Sequence, residues 1–179
     1  TSENADLFLK ILAIMDANHI LKLRGNPYQL IKCLETLLSI DQTNLIREEI
    51  YSNTRQLIRL AQSHLRFAKT ATGREAWRQK VSRAYFACYM ASRAVRLAIS
   101  GQYNTDIKDH KNIGVLPDDF PSISTWKNFF ITLRADRNMA DYDHTAKTSS
   151  LEMSSTQYID KTANFIIEVK HYLKGKGVI

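Results

Sequence analysis

Three prolines and six glycines in 179 residues leave this chain few places to turn. Such scarcity favours long uninterrupted helices over many short strands, because every hairpin calls for turn residues. The apolar spacing agrees. Trp77, Val81, Ala84, Cys88, Ala91, Val95 and Ala98 recur at three- and four-residue steps, as the core face of a helix does. Six helical segments are expected on this basis. The first runs from Ala5 to Leu23 and is stopped by Gly25-Asn26-Pro27, and the second runs from Tyr28 to Leu38. A break at Asp41 to Asn44 precedes a third helix from Leu45 to Lys69, with Ile46, Ile50, Leu57, Leu60, Ala61 and Leu65 on its buried stripe. Thr72 to Glu75 has a capping-box pattern that opens a fourth helix reaching Ile99. After an irregular stretch over 101–121, Ser122 caps a fifth helix that ends near Asp143 or His144. Ser149 to Glu152 reads as a second capping box, opening a helix from Met153 to Leu173. The fold class is all-α: residues 1–42 form a helical extension, and 43–179 form a four-helix core of two long helices, a loop that is functional or packed on itself, and two more helices.

Several classes of protein are excluded. Cys33 and Cys88 are too few for a disulfide framework and lack metal-ligand spacing, so both are expected to be buried free thiols in a reducing compartment. No apolar run approaches the roughly 20 residues that cross a bilayer. The opening Thr1-Ser2-Glu3-Asn4-Ala5-Asp6 has neither the basic nor the apolar region of a secretory signal. A cytoplasmic protein with no membrane partner is expected.

The net charge of +7 is unevenly spread. Residues 45–100 hold eleven basic groups against Glu48, Glu49 and Glu75, whereas 101–179 balance at ten against ten. Nine of those eleven are arginines, among them Arg59, Arg66 and Arg83. Arginine forks match phosphate oxygens, which suits a nucleic-acid partner. A solvated helix face fits the same charges.

One constellation carries chemistry: Arg134, Arg137, Asn138, Asp141, Tyr142 and His144 at the end of the fifth helix. Two helical turns separate Arg137 from His144, so an unbroken helix would present both on nearly one side, roughly 10 Å apart along its axis. Arg134 and Asp141 extend the same polar line. From spacing alone the plainer reading is an Arg/Asp ion-pair ladder ending in a histidine favoured by the helix dipole.

The region 45–175 resembles the HEPN superfamily. The likeness rests on Ser82-Arg83-Ala84-Tyr85-Phe86-Ala87 in the fourth helix, on Asp109-His110-Lys111 in the loop, and on the run from Leu133 to His144. Active members of that family are four- to five-helix, metal-independent ribonucleases with an arginine and a histidine four to six residues apart. Arg137 and His144 match that motif at the long end of its range, and Asn138 matches the polar residue that often follows the arginine. Many relatives with Ala-Asp-Tyr lack the histidine that stands here.

The resemblance implies a homodimer with two Arg/His sets facing a shared basic cleft. It implies His144 as general base or acid, Arg137 as stabiliser of the phosphorane, and Asn138 as an orienting group, with no cofactor and no metal. Arg134, Asp141, Tyr142, Arg83, Arg59 and Arg66 would hold the flanking RNA. The setting implied is a toxin–antitoxin or phage-defence system, with a cognate antitoxin or nucleotidyltransferase as a further partner. A rival reading keeps the fold without the chemistry, as a module binding RNA, a nucleotide or a protein. A third is a purely structural bundle. His64 is expected at a packed boundary, His110 in a structural role, Tyr85 and Tyr89 in the core or a dimer interface, and Tyr142 against the last helix. His19 and His171 have no acidic or cysteine partner at ligand spacing.

Overall fold

A computed structural model describes residues 26–33, 38–102 and 107–179, with only the backbone for residues 30, 33, 107 and 108. The helix expected over Ala5 to Leu23, His19 within it and the side chain of Cys33 lie outside the described residues. Five α-helices are described: α1 Pro27–Cys33, α2 Ile40–Thr70, α3 Ala76–Ser100, α4 Ile123–Tyr142 and α5 Ser155–Gly175. Short 3-10 turns cover Ile107–Asn112 and Thr148–Ser150. The all-α architecture holds, and no described helix is long and apolar enough to cross a membrane.

The third and longest-buried element, α3, is the hub, packed against α2, α4 and α5. Ala84, Ala87, Ala91 and Ala94 are fully buried on it. Small side chains let the neighbouring helices approach closely on more than one side, where larger ones would hold them apart. Gly101 closes α3 in the left-handed region at φ 65°, with its N–H donating to Leu97 O at 3.0 Å. Any side chain there would collide with that of Asn26, which itself bonds Ser100 O. Tyr28 Oη donates to Ala98 O at 2.6 Å, so α1 docks on the end of α3.

On the other side, Trp126, Phe129 and Phe130 of α4 meet Phe165 and Tyr158 of α5. Asp136, buried on α4, accepts from Tyr158 Oη at 2.6 Å and from Glu152 N at 2.8 Å. One carboxylate thus fixes both α5 and the strap leading into it. Burial, with the Asp136 carboxylate beside it, pushes the Tyr158 phenol well above its ordinary range. Cys88 is a buried free thiol beside Thr162, pushed up to about 12 by burial.

The helix starts differ from their expected caps. Ser39, bonded reciprocally with Gln42, caps α2, so the helix runs straight through the expected break at Asp41 to Asn44 and across the expected boundary at residue 42. Glu75 precedes α3 without a side-chain cap, so the Thr72 box does not form. Ser122 stands before α4 at φ 52° with no cap bond. Ser154 with Gln157, rather than Ser149 with Glu152, caps α5. Leu60 is exposed where a buried residue was expected, and Thr54 takes an interior place by donating to Ile50 O at 2.9 Å.

Asp136→Ala should lower the unfolding free energy by about 2–3 kcal/mol, because it strands a buried phenol and an amide, whereas Tyr158→Phe should cost only about 1 kcal/mol. Urea unfolding followed by circular dichroism measures both; equal losses would mean that Asp136 has no partner of consequence besides Tyr158.

Candidate functional site

The polar end of α4 meets the aromatic flank of α3. Arg137 is held by Asp141 one turn on, Nε to Oδ2 at 2.7 Å, with side chains 18% and 22% exposed. Asp141 also accepts from Ser82 Oγ at 3.3 Å, which ties the pair to α3. The guanidinium carbon of Arg137 lies 5.4 Å from the ring centres of Tyr85 and Phe86 and 5.3 Å from that of Tyr142. These are cation–π distances. Asn138 is exposed, and its Oδ1 accepts from Arg137 Nη1 at 3.2 Å. Of the expected ion-pair ladder, the Arg137–Asp141 rung forms, and it sits on an aromatic surface. Tyr142 does not pack on the last helix as expected: it is 74% exposed beside Arg137.

His144 lies beyond the helix. α4 ends at Tyr142, and Asp143 is already extended at φ −95° and ψ 104°. The continuous helical line from Arg137 to His144 thus stops two residues short. The loop that follows is nevertheless held at several points. Arg78 of α3 donates from Nη1 to Ala140 O at 2.9 Å and to Asp143 O at 2.8 Å, and from Nη2 to Ala146 O at 2.9 Å. Its charge meets the Ala140 carbonyl in the last turn of α4, where the helix dipole favours a cation, and two carbonyls beyond the helix. Asp143 Oδ1 accepts from Thr145 N at 2.8 Å and from Thr145 Oγ1 at 2.7 Å. These bonds hold the Asp143 carboxyl below its ordinary range. His144 is exposed in this loop and makes no hydrogen bond among the described residues.

His110 joins the same aromatic surface from the 3-10 turn. Its ring stacks on Tyr89 at 4.2 Å between centres, and its Nδ1 lies 3.1 Å from Tyr85 Oη. The turn is anchored by Asp109, which takes both amino groups of Arg96 at 2.7 and 2.8 Å and the hydroxyl of Tyr89 at 3.0 Å. Asp109 and Arg96 are 1% and 3% exposed. Burial pushes the Asp109 carboxyl up, but the bonds and charge of Arg96, with Asn112 and Tyr89, outweigh it and bring the group to about 2.

Of the basic residues expected to hold RNA, Arg83 packs over Phe67 at 4.8 Å and lies 3.4 Å from His64 Nδ1. His64 stacks on Phe86, at the boundary expected for it. Arg59, Arg66 and Arg134 are exposed. In the sequence Arg78 stands out only as part of the basic excess over 45–100, and His110 only as a structural residue. No local signal marks Arg78, because its carbonyl partners lie 62 to 68 residues away. Comparisons with family models, with curated proteins and with solved structures find no match.

Two outcomes check these contacts. Arg78→Met should speed hydrogen exchange in the 143–147 loop and cost about 1–3 kcal/mol of stability, because it removes three hydrogen bonds to carbonyls. Unchanged exchange there would mean that the loop is held by Asp143 and Thr145 alone. The Asp109 carboxyl binds its proton at about 2 when folded against 3.8 for an ordinary aspartate. The unfolded chain therefore takes up more protons in that window, and the stabilisation is complete above it and lost as pH falls through it. Asp109→Asn should flatten that acid loss and destabilise at neutral pH by about 3 kcal/mol or more, since Arg96 is left buried and unpaired. Urea midpoints from pH 2 to 7 test both effects.

Proposed function

We propose that this chain is a metal-independent endoribonuclease of HEPN type, acting as a homodimer, with Arg137, Asn138 and His144 as its working residues. The observation that carries the reading is Arg137. It is an arginine kept part-exposed on an aromatic surface by Asp141 and Ser82, seven residues before an exposed histidine in a pinned loop. Aromatic faces and guanidinium groups together suit the bases and phosphates of RNA.

In this mechanism His144 takes the proton of a ribose 2′-OH near neutral pH. The freed oxygen attacks the adjacent phosphorus. The bond to the 5′ oxygen breaks, and that oxygen leaves with a proton from a general acid. The products are a 2′,3′-cyclic phosphate and a 5′-OH end. Arg137 stabilises the charge on the phosphorane oxygens, and Asn138 orients Arg137 through their shared hydrogen bond. Arg134, Arg59 and Arg66 hold flanking phosphates, and the chain works under a cognate antitoxin or nucleotidyltransferase. A second reading, a non-catalytic module that binds RNA or a nucleotide, is favoured by one contact: Asp141 already neutralises Arg137.

The test is cleavage of a mixed RNA pool in EDTA, with the oligomeric state measured by light scattering. Wild type should leave cyclic phosphate ends, and His144→Ala and Arg137→Ala should each lose about 100-fold or more in rate. Wild-type protein that is folded and dimeric yet cuts no RNA, while still binding it, would establish the second reading instead.

A further inference from the structure

The aromatic surface of α3 extends past Arg137, and the mechanism above leaves its far part unused. Tyr85 and Tyr89 are 1% and 4% exposed, with rings nearly parallel at 3°. His110 lies over them, part-exposed, and meets Phe86 edge-on at 5.9 Å. Arg137 stands over the Tyr85 and Phe86 rings, and Arg93 stands 5.4 Å from the Tyr89 ring. An imidazole is thus laid on two tyrosines, with its Nδ1 occupied by Tyr85 Oη and a guanidinium flanking each side of the stack.

The charges around it do not cancel. The ionisable groups that bear on His110 are Arg93, Asp109, Arg134 and Arg137, with Tyr85 and Tyr89 beneath. Asp109 is engaged in both its oxygens by Arg96 and lies 3.9 Å from Arg93 Nε, and Asp141 is engaged by Arg137. Arg134 is exposed and has no ion pair among the described residues. Among the described residues Arg134 therefore adds a positive charge that no carboxylate offsets. Positive charge beside a part-open histidine is the chemistry that receives a phosphate.

We propose that His110 is a second histidine of the site and contacts a phosphate group of the bound nucleotide, together with Arg134 and Arg137. The inference rests on the ribonucleotide reading for the source of that phosphate, and on the geometry alone for the contact. Burial first, and then the charges of Arg137, Arg134 and Arg93, hold the empty-site imidazole below its ordinary range despite Asp109. It is neutral near pH 7 and able to accept a hydrogen bond or a proton. A phosphate arriving among these arginines reverses the field and favours the charged imidazole, so its pKa must rise on binding.

The test is an NMR titration of the full chain labelled with 13C in its histidine rings, with the His110 signal assigned from His110→Asn. The probes are inorganic phosphate, uridine 5′-monophosphate and a short 2′-O-methyl oligoribonucleotide that cannot be cut. The His110 midpoint should rise with the oligonucleotide and fail to rise in Arg134→Ala/Arg137→Ala. His110→Asn should weaken oligonucleotide binding about tenfold with an unchanged helical spectrum. A rise with inorganic phosphate or the mononucleotide as well supports the phosphate contact and points to a free anion or mononucleotide as ligand. A His110 signal that no probe moves, or one that moves equally in the double variant, overturns the proposal. If RNA is cut while His110 stays unmoved, the nuclease reading stands without this contact. If His110 responds and no RNA is cut, the phosphate site stands and the nuclease reading falls.

Discussion

The whole arrangement depends on α3 being buried on several sides at once. An ordinary amphipathic helix hides one stripe, but α3 lies against α2, α4 and α5 together. Its alanines make this possible by letting neighbours approach, and the burial they permit has a consequence for the polar residues of the same helix. Ser82, Ser92 and Arg96 are carried inside and must find partners there. Ser92 donates to Ile113 O at 2.7 Å, and Arg96 meets Asp109. These bonds bring the 109–113 segment down onto the helix. That is how His110 reaches the tyrosines.

The same logic shapes the end of α4. A helix leaves its last carbonyls without partners, and here Arg78 of α3 takes Ala140 O along with two carbonyls beyond the helix. One side chain thereby ends the helix, pins the loop carrying His144 and ties α4 to α3. Arg137 faces the other way, onto aromatic rings that keep water from much of its surface. A charge in such surroundings acts on its neighbours more strongly than one in bulk water, which is why it bears on both Tyr85 and His110.

Much of the core was legible in the sequence. The stripe from Trp77 to Ala98 lies inside, and the long helices occur where their apolar spacing placed them. Caps were less legible. Ser, Thr, Asp and Asn abound near every helix start, and a pattern such as Thr72 to Glu75 is compatible with a cap without compelling one. Ser39 and Ser154 cap their helices through reciprocal bonds with Gln42 and Gln157. Apolar residues misled where they face outward: Leu60 and Ile167 fit the helical period, yet they are 43% and 52% exposed. Periodicity gives a face for each helix but not the width of the neighbour that covers it.

The sequence by itself determined the helical class, the core face from Trp77 to Ala98 and the polar cluster from Arg134 to His144. These follow from short-range rules: turn residues are scarce, and apolar side chains recur once per turn. Tertiary structure decided what that cluster touches. Arg78 and Ala146, or Tyr85 and His110, are far apart along the chain, and only the packing of α3 against α4 and the 107–112 turn brings them within hydrogen-bond reach. The physical reason is range: helix propensity acts over a few residues, whereas a guanidinium or an imidazole finds its partners wherever the buried surface places them.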